Sequence, residues 1–391
     1  MSTNYKKLGD IVELIDERNK SLETSEVLGI SIDKEFMPSV ANTIGTDLSN
    51  YKLLRMNTFA CNPMHVGRDE RLPVSLYKKD IPAIVSPAYF MFRVNDENKV
   101  LPDFLMLIFK RNDFDRNCWF RTDGSVRGGI TWNDICEIEL PIPDLKEQEK
   151  IVNTYNAITK RIQLKQKINE NILKQGIQIV QNFVGNAIYS NKTDSEIEEI
   201  KSSLPINQKM ITIKEFCMNT KSGSTPSRTE IDYWKNGNIP WLKSGEVHNN
   251  VTVETEEYIT KKATEETSAK LLPENTVLMA MYGVTAGEVG YLGIEATTNQ
   301  AICGMICNSI EDAAYLYFAL LQNQKEISSL ANGGAQNNLS KELIENLKLV
   351  IPENISELKL NVLVRNLILN TKELQKLNQL KQLVVSQISK R

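Results

Sequence analysis

Two histidines, six cysteines and a few glycine-rich stretches are what this 391-residue chain offers to metal, thiol or phosphate chemistry. A structural zinc site needs Cys or His pairs at short spacing. Cys303-Gly-Met-Ile-Cys307 is the only close pair, and neither His65 nor His248 lies near it. Cys61, Cys118, Cys136 and Cys217 also stand among apolar neighbours, so all six are expected to be reduced thiols of the core. Gly283-Val-Thr-Ala-Gly-Glu-Val-Gly290 lacks the Gly-Lys-Ser/Thr of a phosphate-binding loop and reads as strand, turn and strand. Lys221-Ser-Gly-Ser-Thr225 carries its lysine on the wrong side of the glycine to hold ATP. These residue types point away from catalysis and towards binding.

The elements that would position a binding surface occur twice. Gly124-Ser-Val-Arg-Gly-Gly-Ile-Thr-Trp-Asn-Asp-Ile-Cys-Glu-Ile-Glu-Leu-Pro-Ile-Pro143 lies without a gap over Gly333-Gly-Ala-Gln-Asn-Asn-Leu-Ser-Lys-Glu-Leu-Ile-Glu-Asn-Leu-Lys-Leu-Val-Ile-Pro352, an offset of 352 − 143 = 209. Ile130/Leu339, Ile135/Ile344, Ile138/Leu347 and Leu140/Leu349 fall in register, and each copy runs into a long helix. Such a repeat implies internal two-fold pseudosymmetry, suited to a target that is itself two-fold or bipartite.

The length exceeds one comfortable core, and the repeat divides it. We read residues 1–145 as a first domain, 146–188 as a helical spacer, 189–207 as a polar linker, 208–352 as a second domain and 353–391 as a second spacer helix. Both domains read as strand-rich α+β units, with a helix starting at Pro102 in the first and one near Ala313 to Asn323 in the second. In the first spacer the apolar places are Ile151, Tyr155, Ile158, Ile162, Ile172, Ile179 and Phe183, with Lys165, Asn169 and Gly176 in the same seam. In the second they are Leu360, Leu363, Leu367, Leu374, Leu377, Val384 and Ile388, with Asn370 and Lys381 between them. At ~1.5 Å per residue each would run on the order of 50–60 Å, and an antiparallel coiled coil is the economical way to cover both stripes.

The net charge of −3 disfavours nucleic acid at face value. Its distribution is kinder: the two domains carry −4 and −5, whereas each spacer helix carries +4. No apolar run is long enough to span a bilayer, and the Met-Ser-Thr-Asn-Tyr-Lys-Lys start has no apolar stretch behind its lysines, so a cytoplasmic protein without a signal peptide is expected.

Lys221-Ser-Gly-Ser-Thr-Pro-Ser-Arg228, followed by Tyr233-Trp-Lys-Asn-Gly-Asn-Ile-Pro-Trp-Leu-Lys-Ser-Gly-Glu-Val247, resembles the opening of a target-recognition domain from the specificity subunit of a type I restriction-modification enzyme. Pro141-Ile-Pro-Asp-Leu-Lys-Glu-Gln-Glu-Lys-Ile-Val152 resembles the start of that family's central conserved helix. With the repeat, the resemblance covers the whole chain. The first domain departs from it around Asp10-Ile-Val-Glu-Leu-Ile-Asp-Glu-Arg-Asn19, where it is similar to another subclass of recognition domain, so the two domains are expected to read different sequences. The second helix copy also lacks the Glu-Gln of the first.

The resemblance implies a non-enzymatic, DNA-binding subunit. Each recognition domain would read half of a split, asymmetric site on double-stranded DNA, and the helices would set the spacing. Two methyltransferase subunits and two restriction subunits would dock on it. No cofactor is expected in this chain; S-adenosylmethionine, ATP and Mg would belong to those partners. DNA contacts are sought among loop residues of suitable type. In the first domain these are Arg68, Arg71, Arg121 and Arg127, whose forks match guanine edges and phosphates, with Tyr89 as a weaker candidate. In the second they are Ser222, Thr225, Arg228, Lys243, His248, Tyr282, Gln336 and Asn337. Trp132 and Trp241 are left to the cores. Two other readings stay open: a protein-interaction scaffold, and a self-sufficient methyltransferase. For the second, Asn62-Pro-Met-His65 shares only its first two residues with the Asn-Pro-Pro-aromatic loop of amino-methyltransferases, and no cofactor loop accompanies it.

Overall fold

The computed structural model describes residues 4–41, 45–64, 66–122, 128–190, 192–248, 250–331 and 338–388. The protein is α+β and falls into two compact units, Met1–Ile162 with Leu377–Arg391, and Gln163–Lys376.

In the first unit the N-terminal strand Asn4–Lys7 pairs antiparallel with Glu139–Ile142, and Leu8 N–H donates to Ile138 O at 2.9 Å. An antiparallel sheet runs in the order Val12–Ile15, Phe90–Val94, Phe59–Cys61, Val74–Leu76. Helix Pro102–Phe109 is buried along almost its whole length. Phe59 stacks on Phe92 at 5.0 Å, and Phe109 meets both rings edge-on. Offset and edge-to-face rings of this kind add to the burial of their area.

The second unit repeats the plan. Gln208–Thr212 pairs antiparallel with Lys348–Pro352, and Ile213 N–H donates to Leu347 O at 3.0 Å. Its sheet runs Asn219–Ser222, Ile302–Ile306, Val277–Ala280, Val289–Leu292, with a fifth strand, Val251–Thr252, added in parallel. The first four positions follow the same chain path as the first unit's sheet, and helix Ile310–Gln322 takes the place of Pro102–Phe109. The duplication is therefore deeper than its sequence trace.

The repeat itself is a short capped helix followed by a strand. Thr131 caps Trp132–Cys136 by accepting from Asp134 N–H, and Ser340 caps Lys341–Asn346 by accepting from Leu343 N–H. All four in-register apolar pairs are buried in both copies. Those positions recur because each packs the same joint.

Helix Leu145–Val184 opens where Asp144 accepts from Glu147 N–H at 2.9 Å. The Gln148 side chain, fully buried, donates to Lys99 O and Pro143 O and accepts from Leu101 N–H, so this Gln rivets the helix start to its domain. Tyr155, Ile158, Ile162 and Asn169 of the seam are buried, with Val152 rather than Ile151 buried at its start; beyond Gly176, Val180 and Val184 are buried and Phe183 is 53% exposed. An ideal helix drifts about 20° per heptad against a 3.5 repeat, enough over four heptads to move the buried stripe by one residue. The C-terminal helix is shorter than its expected span: Leu360–Gln387, because Pro352 belongs to a strand and Lys359, in the left-handed region at φ 52°, closes the 3₁₀ turn Ile355–Leu358. The two helices run antiparallel as neighbours within each unit. Lys381 lies 5.2 Å from the Tyr155 ring in the first, and Lys165 meets Asn370 and Glu373, both at 2.8 Å, in the second.

The polar 189–207 stretch is not a bare linker. Ile188–Tyr189 adds an edge strand to Lys348–Pro352, and Asp194–Ser203 is a helix with a Thr193/Glu196 capping box. All six cysteines are free thiols; Cys61, Cys118, Cys217 and Cys303 are buried, and burial pushes Cys61 up to about 12. Among the described residues no helix is long and apolar enough to cross a membrane.

Candidate nucleic-acid interface

The shared topology puts Arg68 and Arg71 of the first unit and Tyr282 of the second at the same corner of their units. In the first, the connection 62–73 follows strand Phe59–Cys61 and carries Arg68 and Arg71; Ile130 N–H donates to Pro63 O at 3.1 Å and Gly67 N–H to Gly128 O at 2.9 Å. In the second, the connection 281–288 follows strand Val277–Ala280 and carries Tyr282; Leu339 N–H donates to Met281 O at 2.7 Å and Tyr282 bridges to Asn338. Ile130 and Leu339 are the in-register pair of the repeat. A strand-end loop and the segment opening the repeat therefore meet at one edge in both units.

Arg68 is 58% exposed and held flat by a two-point contact with its neighbour Asp69, at 2.6 and 2.9 Å. Arg71 is exposed and faces Asp33 at 3.7 Å. Arg121, also exposed, closes helix Asn112–Phe120. Arg127, Gln336 and Asn337 lie outside the described residues. Tyr89 is corrected: it is buried, 9% exposed, in a satellite core with its hydroxyl near Asn62 Nδ2 at 3.5 Å, so it is unavailable to a duplex. Asn62 Oδ1 accepts from Met64 N–H at 3.1 Å, a turn-forming role for the Asn-Pro pair.

In the second unit Ser222 ends a strand and Thr225 donates to Gln300 Oε1 at 2.6 Å; both are exposed. The Arg228 guanidinium lies 3.7 Å from the Trp234 ring centroid and 5.0 Å from that of buried Trp241, and donates to Glu257 at 2.5 Å. Lys243 completes the cluster, 2.8 Å from Glu256 and 3.2 Å from Glu257. Arg228 holds the Glu257 carboxyl below the usual carboxylate range, and Glu256 and then Glu257 raise the Lys243 ammonium. Trp234 and Glu257 were not singled out in the sequence; Trp234 stands 234 − 228 = 6 residues on, but Glu257 reaches the site only through strand pairing. His248, 64% exposed, faces Glu288 at 3.2 Å, and Tyr282 is 42% exposed. The predicted strand, turn and strand around Gly283 is present, with Gly283 and Gly287 at φ 76° and 87°.

Arg228→Ala should therefore act on the fold as well as on any ligand. Loss of one stacked, half-exposed guanidinium and its ion pair is worth about 1 kcal/mol. Tryptophan emission and urea melts of the full chain should report it; an unchanged midpoint would place Arg228 outside the clamp. The Glu257 part of the clamp is fully present above the ordinary carboxylate range and is lost as pH falls through the lowered folded pKa.

Each of the two α+β units presents a loop corner and is built onto an antiparallel helix pair. The family model for the type I restriction modification DNA specificity domain matches residues 3–174 and 205–382, and the chain belongs to that family. Relatives include the EcoR124I/EcoR124II specificity subunit of Escherichia coli, 27% identical over 140 residues, covering 34% of each chain. The MjaIX specificity subunit of Methanocaldococcus jannaschii is 23% identical over 257 residues, 65% of this chain and 59% of that one. The HindI specificity subunit of Haemophilus influenzae is 23% identical over 336 residues, covering 70% and 72%. The first two matches thus span about one third and three fifths of those relatives. The crystal structure of a type I restriction-modification S subunit from M. genitalium shares the fold, with a TM-score of 0.60 at 15% identity over 99% of this chain and 96% of that one.

Proposed function

We propose that the chain is the non-catalytic subunit that gives a type I restriction-modification complex its DNA sequence specificity, each unit reading one half of a bipartite, asymmetric site. The carrying observation is the repeated corner with unlike residues: arginines on the 62–73 connection of one unit, Tyr282 on the shorter 281–288 connection of the other. Arginine forks suit guanine edges and phosphates, whereas a tyrosine offers a ring and one hydroxyl, so equal frames would read unequal half-sites. The antiparallel helices would act as the ruler between half-sites, and methyltransferase and restriction subunits, two of each, would dock on this frame. S-adenosylmethionine, ATP and Mg would be held by those subunits.

The test is a footprint of the complex reconstituted with its methyltransferase subunits. Two short protected tracts separated by a gap are expected, with affinity falling steeply as salt rises. One continuous, sequence-independent tract would overturn the reading, and salt-insensitive binding would favour the protein scaffold. Removing one heptad from each helix should shorten the tolerated gap; an unchanged gap would refute the ruler.

A further inference from the structure

In the first unit, a cleft of about 740 Å³ opens between the start of helix Asn112–Phe120 and the two spacer helices, lined among others by Lys110, Arg111, Asp113, Arg116, Tyr155 and Lys381. Four cations face one carboxylate there, in a chain whose overall charge is −3. Lys110 and Lys381 lie 5.7 and 5.2 Å from the centroid of the same Tyr155 ring. Among the described residues neither they nor Arg116 has a carboxylate within ion-pair distance. The contrast with Lys165 is direct: in the second unit that seam lysine is met by Glu373 and Asn370.

Arg111 supplies the independent pointer. It is only 7% exposed; its Nε and Nη2 are taken by Asp113, and Nη1 is buried with no hydrogen-bond partner. A buried charged donor left unsatisfied is costly, and an arriving oxyanion would satisfy it while neutralising the two lysines.

We propose that this cleft receives the carboxylate of an acidic segment on a partner subunit, and so pins that subunit to the base of the first unit. Two observations favour protein over duplex. The cleft is concave and mixed in lining, with the Tyr155 ring and Val385 beside its cations, whereas a duplex presents its phosphates as a convex array. It also lies off the candidate corner: Asn112, Asp113 and Arg116 face it, while Phe114, Asp115 and Cys118 of the same helix are buried, and that helix packs on the turn Val66–Asp69 that carries Arg68. The inference rests on the reading of the chain as a subunit of a larger complex.

The experiment uses the full chain, a fluorescein-labelled octaglutamate peptide and, in a second arm, the reconstituted complex. The wild-type chain should bind the peptide, and Lys110→Gln/Lys381→Gln should weaken that binding at least tenfold and weaken assembly with the methyltransferase subunits, with an unchanged melting temperature. Affinity of the assembled complex for its duplex, at protein concentrations that saturate assembly, should stay the same with the same salt slope. Equal peptide binding by both proteins would overturn the proposal. So would a variant that assembles normally but loses about one unit of DNA salt slope, which would make the cleft a phosphate contact. Neither result would touch the specificity reading, whose own failure would show as a sequence-independent footprint.

Discussion

Asp115→Ala should cost about 3–5 kcal/mol of the first unit's stability, the range for removing one partner of a buried ion pair. Asp115 accepts from the Lys34 ammonium at 2.7 Å and from Leu72 N–H at 3.1 Å, and both charged side chains are under 10% exposed. Lys34 also donates to Phe109 O. One carboxylate thus ties the hairpin Leu28–Ile30/Phe36–Pro38 to two helices and to the connection bearing Arg71. Without it, the ammonium is left buried with only the Phe109 carbonyl and the Phe114 ring to face. Replacing both partners by apolar groups, as in Lys34→Met/Asp115→Leu, should be far milder. Urea titration of the three proteins decides this; an alanine variant within 1 kcal/mol of wild type would show that water replaces the carboxylate at no cost.

The pH dependence has a definite sign. Burial lowers the Lys34 pKa below its ordinary 10.5, with Asp115 opposing. The folded state then releases its proton before the unfolded chain does, so the Lys34 contribution to stability rises with pH between the lowered folded value and 10.5. In Asp115→Ala the opposing carboxylate is gone, so this rise should begin at lower pH and be larger in total. A flat profile would mean that Lys34 has moved to solvent.

Gly176→Ala carries the second large effect, against helix propensity. In an exposed helix the change would gain about 1 kcal/mol. Here a Cβ at Gly176 would fall within the ring of Phe318, which is fully buried in helix Ile310–Gln322. Overpacking of that kind costs roughly 1–3 kcal/mol and occasionally more, so a net loss of about 2 kcal/mol is expected. Gly176→Ala/Phe318→Leu should recover part of it, whereas additive losses in that double variant would show that ring and glycine do not compete for one space. Gly176 is thus where the helix comes close enough to its domain for a ring to lie against backbone.

The frame was open to reading from the chain. The repeat placed the joint helix, its hydroxyl cap and its strand at a constant offset because each copy buries the same four apolar side chains. Of the C-terminal seam, Leu360, Leu367 and Ile388 are buried because a helix stripe is periodic and local, while Val364, one place off the seam as read, is buried too. The Thr193/Glu196 capping box was also written in the sequence, but the charged residues around it read as a linker. What escaped was long-range. The central strands Phe59–Cys61 and Val277–Ala280 are buried on both faces, so they show no period-two alternation by which their equivalence could be seen.

The candidate residues divide the same way. Their types and their loop settings are visible in the chain, and so is the likeness that names the family. Which of them are already engaged was decided only in three dimensions: Arg228 by a tryptophan and a glutamate from another strand, and Tyr89 by burial. The sequence by itself determined the duplicated frame and its helical stripes, because periodic burial and local caps are properties of neighbouring residues. The tertiary structure decided the shared sheet topology, the corner where a strand-end loop meets the repeat and the unneutralised cleft, because charge pairing and close approach depend on residues dozens to hundreds of positions apart.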